Sequence, residues 1–448
     1  MPYSGKAKRV LDKSKVKVGD FVRVHWKGED LTGWLMPRIE TGDQDALVLK
    51  METGYNIGLR DADKIEKIGP RIEIGKIPTM EIKKHPDLPS IALISTGGTI
   101  GTHIDYKTGG VFMCRTPEEI IATVPELTKY VNIRSIQSPF TIASEDMNYT
   151  HWQKLAKAVA KELNGGAEGV IITHGTDTLH FTAAALSFML VNLCKPVALV
   201  GAQRSPDRAS FDGGMNLVCA SRFCTSDIAE VATVMHATTN DDYCYAIRGT
   251  KVRKMHSSKR DAFKAINEKP LAKIFPDGRL EKLNENLKKR GENIVRAETD
   301  FEPRIAIVKA YPGSDPSIVD YYVQKKFKGI VIEAMGLGHV PTGKSGTRAG
   351  PLARKLSWLP HIERAVKKGV VVAVTSQTIY GSTNSYVYRN LRLLHTAGAV
   401  HCSDMLTETA YVKLGWLLGQ KLDREEVKKK MLENIAGEIN NRLTGKFE

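Results

Sequence analysis

The chain has 448 residues, too many for one ordinary domain and enough for two or three. Its 42% hydrophobic and 26% charged content is that of a globular protein with ample core material, which excludes a disordered or fibrous chain. The net charge of +15 favours anionic partners such as RNA, but the lysines are spread through the chain without a helix-turn-helix or RNP signature, so charge alone assigns no nucleic-acid site.

In chain order, the amino terminus MPYSGKAKRV carries basic residues with no apolar stretch behind them, so no signal peptide is expected. Short β-rich runs follow at Phe21–Val24, Gly33–Met36 and Ala46–Leu49, separated by Gly-Asp and Thr-Gly turns. They predict a small all-β barrel over residues 1–75, then a linker over 76–89. From Ser90 the rhythm changes to continuous apolar runs, as in strands covered on both faces: Ile91–Ser95, Gly169–Thr173, Pro196–Val200, Ile305–Lys309, Gly329–Glu333 and Val370–Thr375. Helical patterns lie between them at Thr116–Val124, His151–Leu163 and Phe181–Leu193. This alternation implies a two-domain α/β body, residues 90–276 and 304–448, with the charged segment 277–303 as a surface connection. The stretch from Leu179 to Val200 is the most membrane-like. His180, Ser187, Asn192 and Lys195-Pro196 interrupt it, so a buried helix and a buried strand are expected and no membrane span. The six cysteines show no C-x-x-C pair and no metal-ligand spacing, and are expected as reduced thiols in a cytoplasmic protein with no metal site.

Two Thr/Gly turns follow strands of the α/β body: Ser95-Thr96-Gly97-Gly98-Thr99-Ile100-Gly101 and Ile172-Thr173-His174-Gly175-Thr176-Asp177-Thr178. Open α/β sheets take ligands at the carboxyl ends of their strands, where glycines let backbone N–H groups approach a substrate. Either turn alone could be structural, the first as an ordinary glycine turn and the second as a helix start capped by Thr176 or Asp177. Two of them at one sheet edge can converge in a single cleft. A third match, Gly338-His339-Val340-Pro341-Thr342-Gly343-Lys344-Ser345, has the spacing of a phosphate-binding loop. Gly346, Gly350 and Pro351 follow it, and no helical pattern begins at the lysine as that loop requires.

The two Thr/Gly turns resemble those of the asparaginase/glutaminase family. The resemblance extends to Ile142-Ala143-Ser144-Glu145-Asp146-Met147 and to Gly249-Thr250-Lys251-Val252-Arg253-Lys254, in the family's order. It implies that Thr99 attacks a side-chain carboxamide and that Lys254, oriented by Thr176 and Asp177, serves proton transfer. Backbone N–H groups near Gly98 and Gly175 would stabilise the oxyanion, and Ser144, Glu145 and Asp177 would hold the amino-acid end of the substrate. The family's loop tyrosine has no match at its usual place, which leaves Tyr106 as a candidate. The segment 334–340 is similar to a turn that the family contributes to a dimer-shared site.

The additional β-rich unit before Ser90 is similar to the architecture of glutaminase subunits of archaeal tRNA-dependent amidotransferases. That likeness, supported by Thr375–Gly381, implies L-glutamine as substrate and a homodimer of this chain within a heterotetramer. It also implies a tRNA-binding partner of the GatE type, which takes up Glu-tRNA(Gln) and uses ATP and Mg2+, with no cofactor in this chain. A stand-alone L-asparaginase is the alternative, because asparagine and glutamine differ by one methylene, about 1–3 kcal/mol in a simple pocket. A nonenzymatic RNA-binding scaffold is the third reading.

Overall fold

A computed structural model describes residues 3–38, 43, 45–51, 56–71, 85–98, 100, 102–104, 111–113, 124–206, 210–344 and 350–443. Five antiparallel strands open the chain: β1 (Asp20–Trp26), β2 (Glu29–Met36), β3 (Ala46–Lys50), β4 (Asn56–Arg60) and β5 (Lys64–Arg71), in the order β4-β3-β2-β1-β5. Val22 and Val24 are buried while Arg23 and His25 are exposed, the period of two expected of a sheet covered on one face. The unit expected as all-β also carries a helix, α1 (Gly5–Ser14), whose Ala7 and Leu11, four residues apart, join the core of Val22, Val24, Leu35, Leu47, Leu49, Leu59 and Ile65. Tyr3 fastens the entry to this helix: its hydroxyl donates to Met36 O at 2.6 Å and accepts from Val48 N at 3.0 Å.

The α/β body begins with an eight-stranded mixed sheet. Its strands are β6 (Ser90–Ser95), β7 (Asn132–Gln137), β8 (Val170–Thr173), β9 (Val197–Val200), β10 (Val231–His236), β11 (Cys244–Arg248), β12 (Ala272–Ile274) and β13 (Leu280–Lys282), in the order β13-β12-β11-β10-β9-β8-β6-β7. The pairs from β7 to β10 are parallel and those from β10 to β13 antiparallel. Every residue of β8, β9 and β10 is buried, which is why these strands read as unbroken apolar runs. Helices α2 (Tyr149–Asn164), α3 (Leu179–Met189) and α4 (Gly213–Cys224) cover the sheet. A capping box at Asn148 starts α2, with the Asn148 side chain accepting from Thr150 N and His151 reaching back to Asn148 N.

Two local expectations differ from the structure. Helix α3 ends at Met189 rather than Leu193, because Leu190-Val191 pairs antiparallel with Arg296-Ala297; no Gly or Pro before Pro196 marks that break. The charged segment after Asp277 does not merely connect: Leu280–Lys282 forms the sheet edge as β13, where Lys282 pairs with Asp227 at 2.6 Å in contact with water. Charged side chains suit an edge strand, which must resist further pairing. The helix expected over Thr116–Val124 lies outside the described residues except for Val124.

The carboxyl-terminal half has a four-stranded parallel sheet, β14 (Ile305–Lys309), β15 (Gly329–Ala334), β16 (Val371–Ser376) and β17 (Val400–His401), in chain order across the sheet. Its helix α5 (Thr407–Gly419) packs on α3 of the first half, and Phe188 stacks on Trp416 with ring centroids 5.9 Å apart. Phe188, Leu186, Val331, Val371 and Leu414 belong to one apolar cluster, so the two halves of the body share a core. Each large side chain buried there contributes about 1.5–3 kcal/mol. The β-rich unit keeps its own cluster. Among the described residues, no helix is long and apolar enough to cross a membrane.

Candidate active site

Strands β6 and β8 lie side by side in parallel register, Ser95 opposite Thr173, so both Thr/Gly turns leave the sheet at one carboxyl edge. Thr96 binds the neighbouring strand end twice, its backbone N–H and its hydroxyl each donating to Thr173 O at 3.0 Å. Gly97 and Gly98 then take φ of +101° and +83°, left-handed conformations that favour glycine. A Cβ on Gly98 would stand 2.3 Å from the backbone N of Gly175, and a Cβ on Gly175 would stand 2.7 Å from both Cβ and Oγ of Ser144. Gly98, Gly175 and Ser144, three residues singled out from separate motifs, therefore touch in a row. Ile142 N donates to Thr96 O at 3.0 Å and the Thr178 hydroxyl to Ser144 O at 2.6 Å, so the Ser144 turn is held by the end of β6 and the start of α3. Ser144 is buried there and Glu145 is exposed beside it.

Lys254 reaches this edge from a distant hairpin. Its Nζ donates to Thr176 Oγ1 and to Asp177 Oδ1, both at 2.8 Å. The Lys254 side chain is 11% exposed and that of Asp177 66% exposed, so the amine lies inside the cleft and the carboxylate at its mouth. Thr176 is buried, its methyl group facing Gly201 at the end of β9, where a Cβ would come within 2.8 Å. Three of the four expected catalytic residues thus meet: a hydroxyl, an amine and a carboxylate in one hydrogen-bonded group. Thr99, the residue after Gly98 in the sequence, and Tyr106 lie outside the described residues.

Two histidines support the cleft and were not assigned from the sequence. His174 is fully buried, and its Nδ1 lies 2.7 Å from Gly175 O, which can only accept. The ring therefore carries its proton on Nδ1, and Nε2 accepts from the Thr182 hydroxyl at 2.8 Å, which itself accepts from Trp152 Nε1 at 3.1 Å. Burial pushes the His174 pKa down to about 4, which keeps this neutral tautomer and fixes the Gly175 peptide. His180, in the first turn of α3, is pushed down to about 3, first by burial and then by the nearby charges of Arg253 and Lys254. The sequence signal for His174 was its place between the buried end of β8 and Gly175, a position where an imidazole must find partners.

The glycine turn near residue 338 is also resolved. Gly338 takes φ of +107°, and a Cβ there would meet the His401 ring at 2.9 Å. Lys344 itself is not helical, and the next helix among the described residues is Pro351–Lys355; residues 345–349, where the helix of a phosphate-binding loop would run, lie outside the described residues.

Comparison with known proteins follows the same division of the chain. Residues 90–288 match the family described as asparaginase, N-terminal; residues 304–431 match the glutaminase/asparaginase C-terminal domain; residues 16–68 match the GatD N-terminal domain. The chain is 49% identical over 441 residues to the GatD subunit of glutamyl-tRNA(Gln) amidotransferase from Pyrococcus abyssi, covering 96% of each chain. It is 43% identical over 449 residues to the GatD subunit from Methanothermobacter thermautotrophicus, covering 99% of each. The thermostable L-asparaginase of Thermococcus kodakarensis is similar in structure, with a TM-score of 0.68 at 26% identity over 79% of this chain and 100% of that one.

Proposed function

Because the chain belongs to the GatD family of glutamyl-tRNA(Gln) amidotransferase subunits, we propose that it hydrolyses L-glutamine and supplies ammonia for converting Glu-tRNA(Gln) to Gln-tRNA(Gln) on a partner subunit. The observation that carries the chemistry is the Lys254 amine donating to Thr176 and Asp177 at the carboxyl edge of β8, beside the contact between Gly98 and Gly175. In this reading Thr99 attacks the carboxamide carbon of glutamine, ammonia leaves, and water cleaves the resulting acyl-enzyme. The Thr176, Asp177 and Lys254 group moves the protons, and backbone N–H groups of the two glycine turns face the developing oxyanion. Asp177, exposed at the mouth, receives the α-amino group of glutamine together with Ser144 and Glu145. Tyr106 stands as the candidate for the family's loop tyrosine.

The amino-terminal β unit is what a free asparaginase of this fold does not need, and it supports the amidotransferase reading over the stand-alone one. Activation of the misacylated glutamate with ATP and Mg2+ belongs to a GatE-type partner, which holds most of the tRNA. This chain forms the homodimer at the centre of a heterotetramer, in keeping with the prevalence of closed two-fold dimers. Steady-state hydrolysis of glutamine and of asparagine, by the chain alone and with partner plus Glu-tRNA(Gln), tests the proposal. Preference for asparagine and indifference to partner and tRNA would assign a stand-alone asparaginase instead.

A further inference from the structure

Lys254 sits at the end of a three-residue strand, Val252–Lys254, whose only ladder is to Phe263–Ala265 among the described residues. A two-stranded ribbon of that length is too short to fix a side chain by itself. Its fastenings come from the other half of the body. Lys251 Nζ donates to Asp404 Oδ2 at 2.5 Å, with both side chains at most 1% exposed. The same carboxylate accepts from Asn440, from its backbone N at 3.0 Å and from its Nδ2 at 2.7 Å. Arg253 Nη1 donates to Glu408 Oε1 in the first turn of α5. Thr250 adds two bonds, its hydroxyl to Ala436 O and its carbonyl from the Thr409 hydroxyl, both at 3.0 Å. Asn267, held at φ of +62°, closes the network by donating to Asp404 O at 3.2 Å and exchanging bonds with Gly381 at 3.0 and 2.9 Å.

Buried ion pairs are poor stabilisers, since apolar residues of similar volume often serve a core as well or better. What a hydrogen-bonded charge pair supplies beyond an apolar contact is a fixed direction. Here two such pairs flank the start of the strand, Lys251 in the turn just before it and Arg253 within it. Lys254 is next in the chain. We propose that the Lys251–Asp404 and Arg253–Glu408 pairs are a positioning clamp through which the carboxyl-terminal half sets the place of the Lys254 amine against Thr176 and Asp177. The clamp rests on the reading of Lys254 as part of the catalytic group. Asp404 and Glu408 are positioning residues and touch no reacting atom.

The test uses the full-length chain with Asp404→Asn, Glu408→Gln and, as a control, Lys254→Ala. Glutamine hydrolysis is measured in the assembled enzyme per folded protein. Acetylation rates of individual lysines are read by mass spectrometry. Lys413, fully buried against Glu438 at 2.6 Å, reports general opening of the fold. Each clamp variant is expected to lower kcat at least tenfold with KM within twofold, and to speed acetylation of Lys254 severalfold while Lys413 stays protected. Unchanged kcat and unchanged Lys254 labelling in both variants overturn the clamp. A parallel rise at Lys254 and Lys413 also overturns it, because the pairs then only hold the fold together. Should Asp404→Asn fail to fold, Glu408→Gln carries the same readouts, since its Arg253 partner is already 26% exposed. Wild-type hydrolysis by Lys254→Ala sinks the catalytic reading of that lysine and leaves the labelling result to judge the clamp separately.

Discussion

Gly98 and Gly175 meet backbone to backbone at the head of the cleft, and a methyl group on either collides with atoms that cannot move aside. Gly98→Ala places its Cβ 2.3 Å from Gly175 N at a φ of +83°, combining a clash with left-handed strain. The expected cost is about 2–4 kcal/mol with loss of glutamine hydrolysis, read from urea midpoints and initial rates. A fully active, equally stable Gly98→Ala protein would contradict the packing described. Thr99→Ala and Lys254→Ala should each abolish hydrolysis, and the double variant should be little worse than either, because residues acting as one unit are non-additive. Retention of the wild-type rate by Thr99→Ala in the assembled enzyme would exclude it as nucleophile. His174 and His180 give a pH signature. Burial holds them at about 4 and about 3, against 6.5 for an unhindered imidazole. Between those values the unfolded chain binds more protons than the folded one, so stability falls as pH drops from about 6.5 towards 4. Each should cost about 1 kcal/mol on going from pH 7 to pH 5.5, seen as a lower urea midpoint. A midpoint independent of pH over that range would rule out buried neutral histidines. At this scale the motif residues were legible because glycine, hydroxyl and carboxylate stand at fixed spacing after an apolar run. The roles of Asp404 and Glu408 were not, because partners 153 and 155 residues apart leave no local pattern.

Elements were legible where one physical pattern ran through them. The strands β6, β8, β9, β14, β15 and β16 are largely buried, so their apolar runs announced them within a residue or two. Helix α1 was hidden because half of GKAKRVLDKS is charged and it buries only Ala7 and Leu11. Strand β13 was hidden for the converse reason, since an edge strand can be as polar as a loop. The separate core of the β-rich unit leads to an element-scale prediction. Removing residues 1–80 should leave the α/β body folded, with its own thermal transition, and should weaken coupling to the partner more than it harms stability. Calorimetry of the truncated chain decides the matter, and loss of the whole cooperative transition would show that the unit is integral to the body.

For the whole molecule, the question is how hydrolysis is matched to demand for ammonia. Glutaminase activity should be weak in the isolated chain and rise when the partner carries Glu-tRNA(Gln). A partner stimulates only through differential affinity for a competent conformation, and 1–3 kcal/mol of such preference gives about 5–150-fold. Equal steady-state rates with and without partner and charged tRNA would end this view. The interlocking of the halves has a temporal consequence as well. Thr250 is anchored to Ala436, 186 residues further along the chain, and Lys251 shares Asp404 with Asn440. At 5–20 residues per second, roughly ten to forty seconds separate synthesis of the lysine from synthesis of its last fastening. A ribosome-bound chain short of residue 404 has both glycine turns and the amine but neither carboxylate of the proposed seat, so hydrolysis of glutamine by a nascent chain is expected only as translation nears its end.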